Sequence, residues 1–91
     1  MAHLTKDNDA LTNRVKRIAG QVDAIDRALA SSASCASILH LVAATRGAIN
    51  GLMEEIIDAY LREHVAGPDL SDEARAQGAD ELLSAIRRYA K

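Results

Sequence analysis

The sequence predicts an all-α protomer: an antiparallel helical hairpin followed by a short third helix. Three observations predict it. Apolar residues recur every three or four positions, and no strand-like alternation interrupts them. Hydrophobic residues make up 48% of the chain but aromatics only 2%, so the apolar content is Ala, Leu, Ile and Val, as in helical bundles. A serine-rich break at 31–34 and a Gly67-Pro68 pair divide the pattern into three.

The first helix is expected from about Lys6 to Ala30. Leu11, Val15, Ile18, Val22, Ile25 and Leu29 are spaced 4, 3, 4, 3, 4, a heptad-type seam on one face. The second is expected from about Ser34 to His64. Ile38, Val42, Thr45, Ile49, Leu52 and Ile56 form its seam, and Leu39, Leu41, Ala48, Met53, Ile57 and Leu61 widen the apolar surface. Arg46, Asn50, Glu54, Asp58 and Arg62 make a polar stripe opposite. This apolar arc is wider than one neighbouring helix covers, so a second chain is expected against it. Ser71 or Asp69 is expected to cap the third helix, with Asp72 and Glu73 in its first turn. Ala79, Leu82, Leu83, Ile86 and Tyr89 form its expected buried face.

The 91 residues make one small domain, 1–91, whose core is modest and for which oligomerisation is a common remedy. The first residues are polar, so no signal peptide is expected; nothing approaches a membrane-spanning length, and a reducing cytoplasm is the expected compartment. The net charge of −2 does not advertise a nucleic-acid binder, but the charge is unevenly spread. Residues 1–50 carry six Lys/Arg against four Asp/Glu, and residues 51–91 carry five against nine. A basic surface from the first half is compatible with an acidic whole.

Cys35 is the only cysteine, which excludes an intrachain disulfide. Serines precede it and an apolar-periodic run follows, which places it in a first helical turn, where the macrodipole favours negative charge. Cys35 and His64 lie 29 residues apart on one expected helix, roughly 44 Å at the rise of an α-helix. They cannot share an ion within one chain; an antiparallel partner brings Cys35 of one chain beside His64 of the other. The hairpin places residue 3 opposite roughly residue 61, so His3 and His64 can meet within a chain. Removal of Met1, which a small Ala2 permits, adds the Ala2 amine as a nitrogen donor. Tyr60 lies one turn before His64 on the same face. Nitrogens with one thiolate suit Ni(II), Co(II) or Zn(II). Taken singly, each residue has a plainer reading: a small buried cysteine, a terminal histidine, a helix-end histidine, a core tyrosine. Their convergence is what singles them out. His40, five residues past Cys35, points about 140° away and is set aside. No nucleophile–base pair, phosphate loop or paired-carboxylate motif occurs, which argues against an enzyme and against an organic cofactor.

The densest basic stretch is Asn13-Arg14-Val15-Lys16-Arg17-Ile18-Ala19-Gly20-Gln21. Arg14, Arg17 and Gln21 share a face at spacings of three and four, and such side chains reach phosphates and base edges. A solvated helix face is the plain alternative.

Residues 14–22, then Cys35, then Ala43-Ala44-Thr45-Arg46-Gly47-Ala48-Ile49-Asn50-Gly51-Leu52-Met53, resemble the CsoR/RcnR family of bacterial repressors over nearly the whole chain. The resemblance implies a helical-bundle dimer and a dimer-of-dimers tetramer that binds operator DNA without a helix-turn-helix and releases it when an effector reaches Cys35. In the mechanism expected here the DNA contacts come from Arg14, Lys16 and Arg17, with Gln21 and Arg46 as further candidates. Metal-sensing members place ligands at positions matching Cys35, Tyr60 and His64. The copper branch has His then Cys where this chain has Tyr60 and His64, which argues against copper(I). The nickel/cobalt branch uses the terminal amine, His3, Cys35 and two histidines; this chain keeps all but one, with Tyr60 in place of a histidine. That leaves a four-donor set suited to zinc or a distorted cobalt site. The formaldehyde-sensing FrmR branch pairs a cysteine matching Cys35 with a terminal proline amine, where this chain has Ala2. The leading expectation is a metal-responsive repressor. The alternatives are a formaldehyde-responsive repressor reacting at Cys35, and a helical metal-binding or protein-interaction module with no DNA role.

Overall fold

The computed structural model describes residues 9–89. His3 and Ala2, and the expected first turn of the first helix from Lys6, lie outside them. Three helices occur in order: α1 (Asp9–Ala30), α2 (Cys35–His64) and α3 (Asp72–Tyr89). No strand is present among the described residues. They cluster into two compact units, 9–52 and 53–89, with α2 contributing to both.

In the first unit α1 and the first part of α2 form a hairpin. Its turn is fixed by backbone bonds rather than by glycine. Ser32 adopts φ 59°, the left-handed conformation that closes a helix. Ala33 N–H donates to Ala28 C=O at 3.0 Å, and Ser32 N–H donates to Leu29 C=O at 3.3 Å, the paired bonds of a Schellman cap. Two residues later Ser34 opens α2. Its Oγ accepts the N–H of Ser37 at 3.1 Å, satisfying one of the donors a helix start leaves unpaired.

The expected α1 seam divides in two. Leu11, Ile18 and Ile25 are half-buried, together with Arg14, Gln21 and Ala28. Val15, Val22 and Leu29 are exposed, at 50%, 52% and 60%. The α2 seam divides the same way. Ile38, Thr45 and Leu52 turn inward with Leu41 and Ala48, while Val42, Ile49 and Ile56 are exposed. A heptad seam has two positions per repeat, and within this protomer only one of them meets a neighbour. Thr45, 6% exposed, is the buried polar side chain of α2; its hydroxyl donates to Leu41 C=O at 2.7 Å, so burial leaves no unmet bond.

In the second unit the end of α2 packs against α3. Leu61 C=O accepts the N–H groups of both Val65 and Ala66 at the helix end. Arg75 then ties down the connection. Its guanidinium donates to the carbonyls of Val65, Gly67 (3.1 Å) and Leu70 (3.2 Å). Ser71, one of the two expected caps, accepts the Ala74 N–H at 3.0 Å. Gly78 lets α3 approach α2: a Cβ there would stand 2.0 Å from the His64 carbonyl oxygen. Leu82 is the buried apolar residue of α3, with Ala79 and Ile86 half-buried beside it. Leu83 and Tyr89, expected on the buried face, are instead 47% and 64% exposed. Leu82 and Leu83 point about 100° apart on a helix, and α3 has one neighbour in its unit, so only the first is covered.

Candidate functional site

Cys35 is the first residue of α2, directly after the Ser34 cap, and its thiol is exposed and free. The cap and the adjoining Schellman turn fix the backbone on either side of it. His40 is exposed on the next turn. At the other end of α2, His64 is half-buried and its ring lies 4.6 Å from that of Tyr60, tilted by 44°. The Tyr60 hydroxyl donates to Glu81 Oε1 on α3 at 3.1 Å. Partial burial, that hydrogen bond and the Glu81 charge together hold the phenol above its ordinary pKa. Next to His64, the Oε2 of Glu63 is buried with no hydrogen-bond partner among the described residues.

The expected ligands are thus split between the two ends of one helix. Tyr60 and His64 are brought together; Cys35 opens the same helix that His64 closes. Among the described residues no three His, Cys, Asp or Glu side chains gather. The donor types present, a thiol and an imidazole, suit a borderline transition metal better than a hard cation.

The basic residues of α1 also separate. Lys16 and Arg17 are exposed. Arg14 is half-buried, with its guanidinium lying over Gly51 of α2. Gln21 is half-buried too, and its Oε1 is enclosed without a hydrogen-bond partner. Arg46 is exposed on α2. Sequence reasoning grouped Arg14, Arg17 and Gln21 on one face; the inward turn of α1 splits them.

Three residues near the site were missed: Arg75, Gly78 and Glu81. Gly78 carried only a partial signal: glycine inside a helical pattern is a cue for close packing, but Gly20 and Gly47 share that setting and meet nothing within 4 Å. Arg75 and Glu81 carried none, because their partners are backbone carbonyls and a hydroxyl on other elements.

The family model for a metal-sensitive transcriptional repressor matches residues 7–88. The chain belongs to this family. An uncharacterised Serratia marcescens protein, named for its position in the bioA 5′ region, is 41% identical over 91 residues, covering all of both chains. The transcriptional repressor RcnR of Salmonella paratyphi B (strain ATCC BAA-1250 / SPB7) is 40% identical over 92 residues, again covering both in full. Among solved structures, a glutamate-to-histidine variant of the formaldehyde-responsive regulator FrmR from Salmonella enterica serovar Typhimurium superposes with a TM-score of 0.86. It is 39% identical, with 96% of this chain and 98% of that one covered. The resemblance to the CsoR/RcnR family therefore holds, as does the all-α fold. Membership makes the chain a transcriptional repressor rather than an enzyme, and implies DNA binding, oligomerisation and a metal effector. Among the described residues no helix is long and apolar enough to cross a membrane.

Proposed function

We propose that this repressor holds operator DNA in its metal-free form and releases it when a divalent transition metal binds between subunits. The carrying observation is the placement of Cys35 and His64 at opposite ends of a 30-residue helix. Two such donors share an ion only when two chains run antiparallel. The ligand set is Cys35 from one chain with His64, His3 and the Ala2 amine from the other. Nickel, cobalt and zinc are the candidates. Tyr60 sits beside His64, but its hydroxyl is committed to Glu81, so as a ligand it would first have to leave that carboxylate.

The assembly is a tetramer working in the cytoplasm. Its interfaces use the exposed heptad stripes Val15–Val22–Leu29 and Val42–Ile49–Ile56. Lys16 and Arg17 contact phosphates, Arg14 and Arg46 add to that surface, and Gln21 lies at its edge. Release on metal binding follows if the metal binds the DNA-free arrangement more tightly than the DNA-bound one.

A second reading is favoured by the likeness to a formaldehyde-responsive regulator and by the exposed Cys35 thiol. The thiol adds across the formaldehyde carbonyl; condensation with the Ala2 amine then expels water and leaves a methylene bridge. One experiment separates the readings. Duplex DNA from upstream of the chain's own coding sequence is held by wild type, then challenged with Ni(II), Co(II), Zn(II) or formaldehyde while anisotropy is followed. Release by a metal and not by formaldehyde supports the first reading, and the reverse supports the second. A wild-type protein that binds no such DNA supports neither.

A further inference from the structure

Arg14 and Gly51 face each other across the hairpin. A Cβ built on Gly51 would stand 2.7 Å from Arg14 Nη1 and 3.7 Å from its Cζ, so the guanidinium occupies the notch that the missing side chain leaves. The other two glycines of the first unit, Gly20 and Gly47, meet nothing within 4 Å. Gly51 is also a costly choice by local propensity, since glycine in a helix interior is about 1 kcal/mol less favourable than alanine. It therefore spends stability where a guanidinium lies against the backbone.

We infer that Gly51 is a positioning residue for Arg14, holding its guanidinium in one place at the DNA-facing edge of α1. An arginine carries a large rotamer entropy, and a seat that fixes its planar fork before binding lowers the cost of ordering it on a phosphate. Lys16 and Arg17 are both exposed, whereas Arg14 is half-buried. The inference rests on the reading that Arg14 contacts DNA.

Gly51→Ala tests it. The new methyl meets only the far end of a flexible side chain, so the guanidinium moves and the helices stay. The melting temperature is expected to be equal to or above that of wild type, with unchanged oligomer mass. Affinity for the upstream duplex is expected to fall by up to about tenfold, and the salt slope by about one, as for one lost phosphate contact. In an Arg14→Ala background, Gly51→Ala is expected to have no further effect on DNA binding. Unchanged or increased affinity of Gly51→Ala overturns the inference, as does a loss that persists without Arg14. If Arg14→Ala itself binds as tightly as wild type, the DNA reading of Arg14 fails, which is a separate result.

Discussion

Ser32 closes α1 in a conformation that glycine adopts without penalty and serine does not, since a left-handed residue with a Cβ costs about 1–2 kcal/mol. Ser32→Gly is therefore expected to stabilise the protein by about 0.5–1 kcal/mol, read as a higher denaturant midpoint at unchanged slope. A lower midpoint would show that the Ser32 side chain itself holds the turn. Nothing in the run Ser31-Ser32-Ala33-Ser34 announced which residue would turn left, because the usual signal is a glycine and none is there. Ser34 and Cys35 were legible for the opposite reason: a capping serine before an apolar run is a local signal, and the local geometry kept it. Tyr60 is the residue where local reading stopped short. Its position beside His64 followed from helical spacing, but its bond to Glu81 joins residues 21 apart. Tyr60→His is expected to raise nickel or cobalt affinity by adding a nitrogen donor, and Tyr60→Phe to change it little. A large loss of metal affinity in Tyr60→Phe, measured by competition with a chelating dye, would make the phenol a ligand.

At the scale of elements, all three helices were readable from periodicity and breakers, and the described ends fell where the serine break and Gly67-Pro68 put them. The inward and outward halves of each seam were not readable. Val15 and Ile18 are equally apolar, and only the direction from which α2 arrives decides which is covered. The exposed stripes on α1 and α2 are what a partner chain would bury. Ile49→Asp would place an unpaired charge in that interface, and it is expected to lower the mass measured by light scattering or to unfold the protein. A stable variant of wild-type mass would remove α2 from the interface. The connection between α2 and α3 has its own determinants. Arg75→Ala strips partners from three carbonyls, and is expected to cost about 1–3 kcal/mol in denaturant unfolding. Gly78→Ala is expected to cost more, because backbone rather than a flexible side chain blocks the added methyl. If Gly78→Ala were neutral, the close approach of α3 to His64 would be wrong.

At the scale of the whole molecule, the family was legible because its motifs run in order along nearly the entire chain, and the match over residues 7–88 bears that out. The site was less legible. Its proposed donors, Cys35 and His64, are the first and last residues of α2, and the proposal closes the site with a second chain. DNA binding is expected to weaken in Arg17→Ala, with the salt slope falling by about one. Cys35→Ala is expected to keep metal-free affinity and lose metal-induced release. The shared site is the central claim, and mixed chains test it most directly. Cys35→Ala and His64→Ala proteins are unfolded together, refolded, and titrated with Co(II) under reducing conditions while the near-ultraviolet thiolate-to-cobalt band is followed. A two-chain site regains intact Cys35–His64 pairs in about a quarter of positions under random pairing, so the mixture is expected to absorb well above the mean of its two parents. A mixture that only matches that mean, beside a wild-type protein with a strong band, would contradict a site shared between chains.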